Sequence, residues 1–600
     1  MIEMKSYIII LMISVICLGA CNDVLDTKPL DKYTELDVWN DPNLAQGFIY
    51  NTYASVIPEL LVNPGDPQSR FGGIGNEDFT DNVLSRQSNN IALDLIDQFY
   101  DAGWSTNNSY YFFGKAPLGN NAPIKQNSFE VIRDCNLIIE KVEASEGIPE
   151  NLKPGLVAQG KMLRALIYYS KARLFGKYII VDHVLTPEDD LMLPRSETIK
   201  ETYDFIIGDL QDAAENLPLA GTVDRGHLTK GAAYAMLAEI ALHGAAYVES
   251  GKDAYYQLSK QASEELFGLG YSLDTDYASM FNDYDHAFSS EEIILGQFKN
   301  TNATWCQQTL MQGLVPNMEV SATTGSPGLK ESFLGWTEAW PTHDLIADYL
   351  VEDVDGMAKR WDQTSFFNDF QANGGYLSDA IYNEYRDDRF DASILYDSTY
   401  LFSNLVTTRI GGNLYYAEST KGTNRSTPSG YFVKKGIYDI TGYKANVHSP
   451  YAQAMMRLGR AYLNYAEVML RLNNIAVAVE YINKTRTVHG GLPELSNSLS
   501  LEETWEYYKI ERRVELFFEN DRYWSLLRWG KEDGGNVIPE LNDKQYKFFE
   551  ISADGKSYDI RNVFLNPSAH KKRFSIKRYL FPVPENERVL NEKLDQNPGW

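Results

Sequence analysis

The sequence predicts a mostly α-helical protein, in which a scaffold of tetratricopeptide-like helical hairpins carries long irregular insertions and a few short strands. Two observations lead there. Segments whose apolar residues recur every three to four positions come in pairs with short connections, and between them lie long stretches rich in Gly, Asn, Asp and aromatics that keep no sustained period. Paired helices suit a repeat of about 34 residues, although the match to that repeat's consensus is poor and the likeness is one of architecture.

In chain order, residues 1–20 read as a lipoprotein signal peptide. Lys5 precedes an apolar run, Tyr7 to Leu18, that is short for a bilayer span, and Leu18-Gly19-Ala20 lead into Cys21, the expected lipidation site. Acyl chains contribute about 0.8 kcal/mol per buried CH₂, enough in combination to hold a large domain on a membrane. Residues 21–41, polar and carrying Pro29, read as a tether that gives way to order near Trp39. The remainder, 42–600, is expected to form a single domain, with its helical scaffold mainly in 42–60, 128–267 and 451–531 and its variable insertions mainly in 64–127 and 270–446.

The first helix is expected over Asn43 to Ile57, stopped by Pro58. Ser128 reads as the N-cap of a helix running to Ala144, and Pro154 opens the next. Helices over Lys200 to Asn216, Thr229 to Val248 and Asp253 to Phe267 follow. The second insertion offers one helix, around His343 to Val351. From Tyr451 the helical period returns: Met455, Leu458, Tyr462, Tyr465 and Met469 make an apolar stripe, while Arg457, Arg460, Asn464, Glu467 and Arg471 make a charged one. Ile475 to Val488 ends at Gly490-Gly491, and Ser500 with Glu503 forms a capping box.

The helix so capped is expected to run on through Glu511 to Lys531, ERRVELFFENDRYWSLLRWGK. Tyr507, Ile510, Val514 and Phe517 form its apolar stripe, and Glu511, Glu515 and Glu519 stand at i, i+4 as a like-charged column that needs basic neighbours. Arg512, Arg513, Arg522 and Arg528 are local candidates, with Arg457, Arg460 and Arg486 reaching across from other helices. Paired carboxylates also invite a glycosidase reading, but an acid/base pair needs a cleft and separated pKa values, and crowding by arginines favours a structural role.

This stretch resembles the C-terminal helical signature of the SusD/RagB family of outer-membrane nutrient-uptake lipoproteins. The resemblance covers most of the chain. Arg133 to Asn136, Leu156 to Tyr178, Leu193-Pro194-Arg195, Arg386 to Phe390, Arg457 to Leu470, Asn483 to Arg486, Gly490 to Pro493, Phe581 to Pro584 and Gln596 to Trp600 are similar to family segments in the same order. The resemblance implies a non-enzymatic, surface-exposed lipoprotein of the outer membrane that lies over a SusC-like TonB-dependent transporter and binds a glycan. Peptide capture, as in the RagB branch, is the alternative within that architecture, and a surface glycosidase the alternative outside it.

Sugar rings present apolar C–H faces edged by hydroxyls, so their binders combine flat aromatic platforms with polar groups. Aromatics make up 13% of the chain, which supplies many candidates, most of them packing residues. Trp104, Trp305 and Trp336 stand out because each lies in a loop-like stretch beside polar residues, although packing is the commoner use of a tryptophan. Tyr100, Asn107 and Tyr110 flank Trp104, and Asp81 and Asn82 are candidate polar rim residues. Trp340, Trp505, Trp524 and Trp529 are assigned to scaffold.

Other chemistry finds little support. A formal net charge of −27 argues against a nucleic-acid partner. Of four cysteines only Cys135 and Cys306 stand apart from the signal and the lipidation site, which is no disulfide framework. The eight histidines form no zinc motif. Glu352-Asp353-Val354-Asp355-Gly356 has closely spaced oxygens, the one weak hint of structural Ca²⁺ in a chain expected to need no cofactor, but lacks a twelve-residue loop with a closing glutamate. No nucleophile elbow or phosphate-binding loop occurs.

Overall fold

The computed structural model describes residues 33–61, 77, 80–85, 127–305, 314–318, 333–335, 337, 339–416, 426–438, 448–535, 538–541, 546–563 and 574–600. Its first block is a ladder of helices. α1 (Glu35–Asn40) is closed by a capping box between Thr34 and Asp37, and α2 (Pro42–Leu61) runs on past Pro58. The expected stop there is corrected: the proline ring constrains the chain before it, not the three residues after it that complete the helix.

After a short strand β1 (Val83–Ser85) come α3 (Ser128–Ala144), α4 (Lys153–Phe175), α5 (Ile199–Asn216), α6 (Lys230–Ala245) and α7 (Lys252–Phe267). Asn127, one residue before the expected cap, is the N-cap of α3, its side chain accepting from Phe129 N. Each of these helices packs on the next, as hairpin repeats do. α6 is buried nearly all round because Ala and Gly let its neighbours approach closely, which its alanine-rich sequence permits.

The second helical block begins later than its period suggests. Residues 451–457 are extended and belong to a strand of ten residues, His448–Arg457, that pairs antiparallel with β2 (Ile293–Trp305), Gln453 opposite Gln297 and Arg457 opposite Ile293. The partner strand lies about 150 residues away, beyond the reach of local periodicity. Between these strands lies β3 (Ala339–Pro341), which pairs with β1, and α8 (His343–Asp348) follows it directly. Short two-stranded pairs make up the other described strands of this half. The 448–457 strand, β4, leads into α9 (Leu458–Arg471), then α10 (Ile475–Val488), α11 (Leu501–Glu515) and α12 (Arg522–Glu532). α9 packs on α6, α7, α10 and α11, which joins the two helical blocks into one scaffold.

The continuous helix expected through Glu511 to Lys531 is broken. α11 ends at Glu515, and Phe518 and Asn520 adopt left-handed backbone conformations, φ 63° and 59°, before α12 starts. Glu519 therefore sits in a corner, off the helical column of Glu511 and Glu515. The predicted apolar stripe is also redistributed. Tyr508 and Leu516 join the scaffold core, Val514 and Phe517 join a second core around Trp340, Trp361 and Tyr431, and Tyr507 and Ile510 are half-buried. α11 is thus the wall between the two cores.

The C-terminal segment closes on the first block. Asn597 Nδ2 donates to Phe175 O and Phe581 O, and its Oδ1 accepts from Arg195, whose guanidinium also pairs with Asp595. Among the described residues no helix is long and apolar enough to cross a membrane.

Candidate functional site

The signature stretch builds an internal ionic network. Arg389, fully buried, is bidentate to Asp387 at 2.9 and 2.7 Å and reaches Glu511 at 2.5 Å and Glu515 at 2.7 Å. Arg457 spans Glu292, Glu515 and Glu519 at 2.7, 2.6 and 2.8 Å. Lys435, from the insertion half, meets Glu519 at 2.6 Å and the Tyr277 hydroxyl at 2.6 Å, and burial pulls its pKa down to about 8. A neighbouring node joins Arg528 to Glu467 and Arg512 to Asp521, each bidentate. The charged stripe is therefore an inner face, with Arg457 at the end of β4 and Arg460, Asn464 and Glu467 of α9 all buried.

This geometry decides two chemical questions. Glu511 and Glu515 are walled in and saturated by arginines, and although burial opposes it, His489 and the guanidiniums hold Glu515 well below the usual carboxylate range. Neither carboxylate can work as a glycosidase acid, which must open to substrate. Glu292, His489 and Glu515 have metal-like spacing, yet both His489 nitrogens face carboxylates, Nδ1 to Glu515 at 2.8 Å and Nε2 to Glu292 at 3.1 Å. Both nitrogens must donate, so the ring is an imidazolium. Burial alone would lower its pKa, but the two carboxylates raise it to about 10, which leaves no lone pair for a metal.

The acidic turn noted for calcium is likewise engaged. Lys359 Nζ donates to Asp353 at 2.7 Å and to Asp355 at 2.5 Å, so an ammonium stands between the two carboxylates.

The polar rim assigned to Asp81 and Asn82 is corrected. Asp81 is 3% exposed and Asn82 fully buried. Asp81 accepts from Arg522 Nε and Nη2 at 3.0 and 3.1 Å and pairs with Arg513 at 3.0 Å, while Asn82 Oδ1 accepts from Arg513 Nε at 2.8 Å. Asn82 Nδ2 donates to Glu77 at 2.7 Å, and the other Glu77 oxygen accepts from Phe518 N at 3.1 Å. Burial raises the Glu77 pKa to about 7 against these hydrogen bonds. Thr342 ties in the far side, its N donating to Asn82 O at 2.9 Å and its hydroxyl to Asp81 O at 2.7 Å. No local signal reveals this, because the arginines lie some 430 residues downstream.

Directly after this anchor, β1 pairs with β3, Val83 opposite Pro341, Leu84 opposite Trp340 and Ser85 opposite Ala339. The pairing is antiparallel. Ser85, where β1 ends, and Ala339, where β3 starts, therefore lie at one end of the pair. Tyr100, Trp104, Asn107 and Tyr110 follow the first in sequence and Trp336 precedes the second. Those five residues and Cys21 lie outside the described residues, and of Trp305 the structure describes the backbone, at the end of β2 opposite His448. Trp340 is buried, as are Trp524 and Trp529, and Trp505 is half-buried under Arg471, 4.6 Å from the ring centre.

The sequence profile of the SusD family matches residues 292–600, and a second profile, described as starch-binding and associating with the outer membrane, matches residues 89–242. A SusD-like protein of Bacteroides ovatus is 21% identical over 498 residues, 78% of this chain and 79% of that protein. Among solved structures, a SusD-like protein of Bacteroides fragilis superposes with a TM-score of 0.70 at 24% identity, covering 96% of this chain and all of that one. A second B. fragilis protein, described as SusD-like and carbohydrate-binding, gives 0.66 at 19% identity, covering 93% of this chain and all of its own.

Proposed function

The chain belongs to the SusD family, and on that premise we propose that it is a surface-exposed outer-membrane lipoprotein, held through Cys21, that captures an oligosaccharide and delivers it to a SusC-like TonB-dependent transporter. Capture is binding without catalysis. The observation that carries this reading is the contrast between two parts of the chain. The carboxylates of the signature and His489 are locked inside the scaffold as ion pairs, whereas the stretches richest in candidate platforms, around Trp104 and Trp336, flank in sequence one strand pair pinned to that scaffold. A rigid support under aromatic platforms and polar groups is what a sugar face needs, since an unsupported surface would pay ordering entropy on binding.

Outer-membrane association is supported by the description of the profile that matches residues 89–242, and a lipid anchor fits a chain without a spanning helix among its described residues. The test is calorimetric titration of the purified chain with maltooligosaccharides, chosen because that description names starch, alongside a panel of other neutral and acidic glycans. Binding to a glycan without new reducing ends supports the reading. Binding to peptides alone, or turnover of a glycan, would replace it.

A further inference from the structure

Away from the buried network, one surface cluster joins an exposed aromatic ring to cationic donors that the fold leaves unused. Tyr376 precedes the short helix Leu377–Ile381 and is 53% exposed. Beside it lies the tip of the hairpin formed by Tyr546–Ile551 and Tyr558–Val563, held there by Leu377 N, which donates to Gly555 O at 2.9 Å. A Cβ on Gly555, whose φ is 72°, would stand 3.2 Å from Arg409 Nη1 and 3.5 Å from Tyr376 Cδ1, so the glycine lets the turn reach both the guanidinium and the ring. Arg409 is held from its other side. Asp397, itself buried, accepts from its Nε at 2.9 Å and from its Nη2 at 2.5 Å, and Nη2 also meets Ser398 Oγ, which leaves Nη1 without a hydrogen bond among the described residues. Lys556, exposed at the hairpin tip, has its Nζ 5.5 Å from the centre of the Tyr376 ring and forms no ion pair among the described residues. Asp554, in the same turn, accepts instead from Ser552 Oγ at 2.6 Å and Lys556 N at 3.1 Å.

An exposed ring takes the C–H face of a pyranose, and two charged donors beside it select for a carboxylate on that sugar, because charge-assisted hydrogen bonds are roughly twice as strong as neutral ones. The placement matters in a chain of net charge −27, which disfavours an acidic ligand wherever cations are not set out for it. We propose that Tyr376, Arg409 and Lys556 form a subsite for an acidic sugar, with a uronate ring stacked on Tyr376 and its carboxylate accepting from Arg409 Nη1 and Lys556 Nζ. Arg409 is the preorganised donor, since Asp397 fixes its plane before any ligand arrives. Lys556 is the adaptable one: its ammonium gives up the ring face, a contact worth about 0.5–1 kcal/mol when exposed, and takes the carboxylate instead. The proposal rests on the oligosaccharide reading and narrows it to acidic glycans. The subsite is built from described residues alone.

The experiment is calorimetric titration of the full chain with tetragalacturonate, tetraguluronate, the methyl ester of each and maltoheptaose, repeated for Tyr376→Ala, Lys556→Gln and the control Tyr400→Ala. The control removes a comparably exposed ring, 62% exposed, that has no cation over it among the described residues. Expected is binding of at least one acidic tetramer, with its methyl ester, which keeps the rings and loses the charge, roughly tenfold weaker or more. Tyr376→Ala and Lys556→Gln should each weaken that acidic tetramer roughly tenfold, and Tyr400→Ala should leave it unchanged. Both substituted side chains lie at the surface, so the melting temperature of each variant should match that of the native chain. The proposal is overturned if the methyl ester binds as tightly as the acid, if either variant binds the acid as the native chain does, or if Tyr400→Ala weakens it equally. Binding of maltoheptaose alone overturns the acidic subsite and leaves oligosaccharide capture standing, whereas binding of peptides and of no glycan removes that reading as well.

Discussion

His489 donates to Glu515 at 2.8 Å with both side chains fully buried, and its opposite nitrogen donates to Glu292. The ring is thereby a structural cation joining α11 to the start of β2. Its folded pKa, about 10, lies above the 6.5 of a free histidine, so its contribution to stability is complete below pH 6.5 and is lost as the pH rises through 10. Lys435, depressed to about 8, works in the opposite sense above that pH, so the histidine is best isolated by difference. Urea unfolding of the native chain and His489→Gln between pH 6 and 10 should show a gap of several kcal/mol at pH 6 that narrows as the pH rises. A constant gap would mean that the ring is neutral.

Glu77 predicts a second pH effect in a lower window. Its folded pKa, about 7, is raised above the ordinary carboxylate value by burial, with Asp521 adding to the rise and Arg522 opposing it. Stability from this group is present below the unfolded pKa, near 4.5, and is lost as the pH climbs through 7. The loss is on the order of 3 kcal/mol by linkage. In Glu77→Gln the segment of the stability profile between pH 4.5 and 7 should flatten, measured by thermal unfolding in matched buffers.

Gly459 predicts a reversal of an ordinary rule. Gly→Ala inside a helix normally stabilises by about 1 kcal/mol. At Gly459, in the first turn of α9, a Cβ would lie 2.5 Å from Arg457 Nη1 and 2.7 Å from Glu515 Oε1, atoms that are held by ion pairs and cannot step aside. Gly459→Ala should therefore destabilise by roughly 1–3 kcal/mol, read as a lower urea midpoint at unchanged slope.

Where local chemistry decides an element, the sequence is a good guide, and the contrast between neighbouring segments shows why. The Ser500–Glu503 capping box closes α11 as predicted, and α10 spans Ile475–Val488 between Asn474 and the Gly490-Gly491 pair. Both are set by residues within four positions. The missed break at 516–521 rests on left-handed Phe518 and Asn520, residues that carry no glycine signal, and the corner is held by Arg457 reaching Glu519 from another element. Asp81 is the plainest case. A short acidic side chain in a polar stretch resembles a solvent-facing ligand group, and only the fold brings Arg513 and Arg522 to it.

The anchor and the ligand surface should separate cleanly. Cys21→Ala removes the proposed lipidation site, which precedes α1 in the sequence. Fractionation should then find the chain released from the membrane, and glycan affinity of the purified protein should match that of the native form. A parallel loss of affinity would tie the N-terminal segment to the binding surface.

Tryptophan substitutions distinguish platform from packing most directly. Trp340 is buried beside Leu345 and Tyr431 in the second core, so Trp340→Ala should cost about 3–5 kcal/mol and lower the melting temperature by several degrees. Trp104→Ala and Trp336→Ala should leave the melting temperature near that of the native chain and weaken glycan binding roughly tenfold or more, since a stacking platform contributes to the complex and not to the core. The three variants share one chemistry and differ only in where the ring sits. If Trp336→Ala lowers stability as much as Trp340→Ala does while leaving the affinity of the folded fraction intact, Trp336 belongs to the core, and the platform must be sought among the other aromatics of the two insertions.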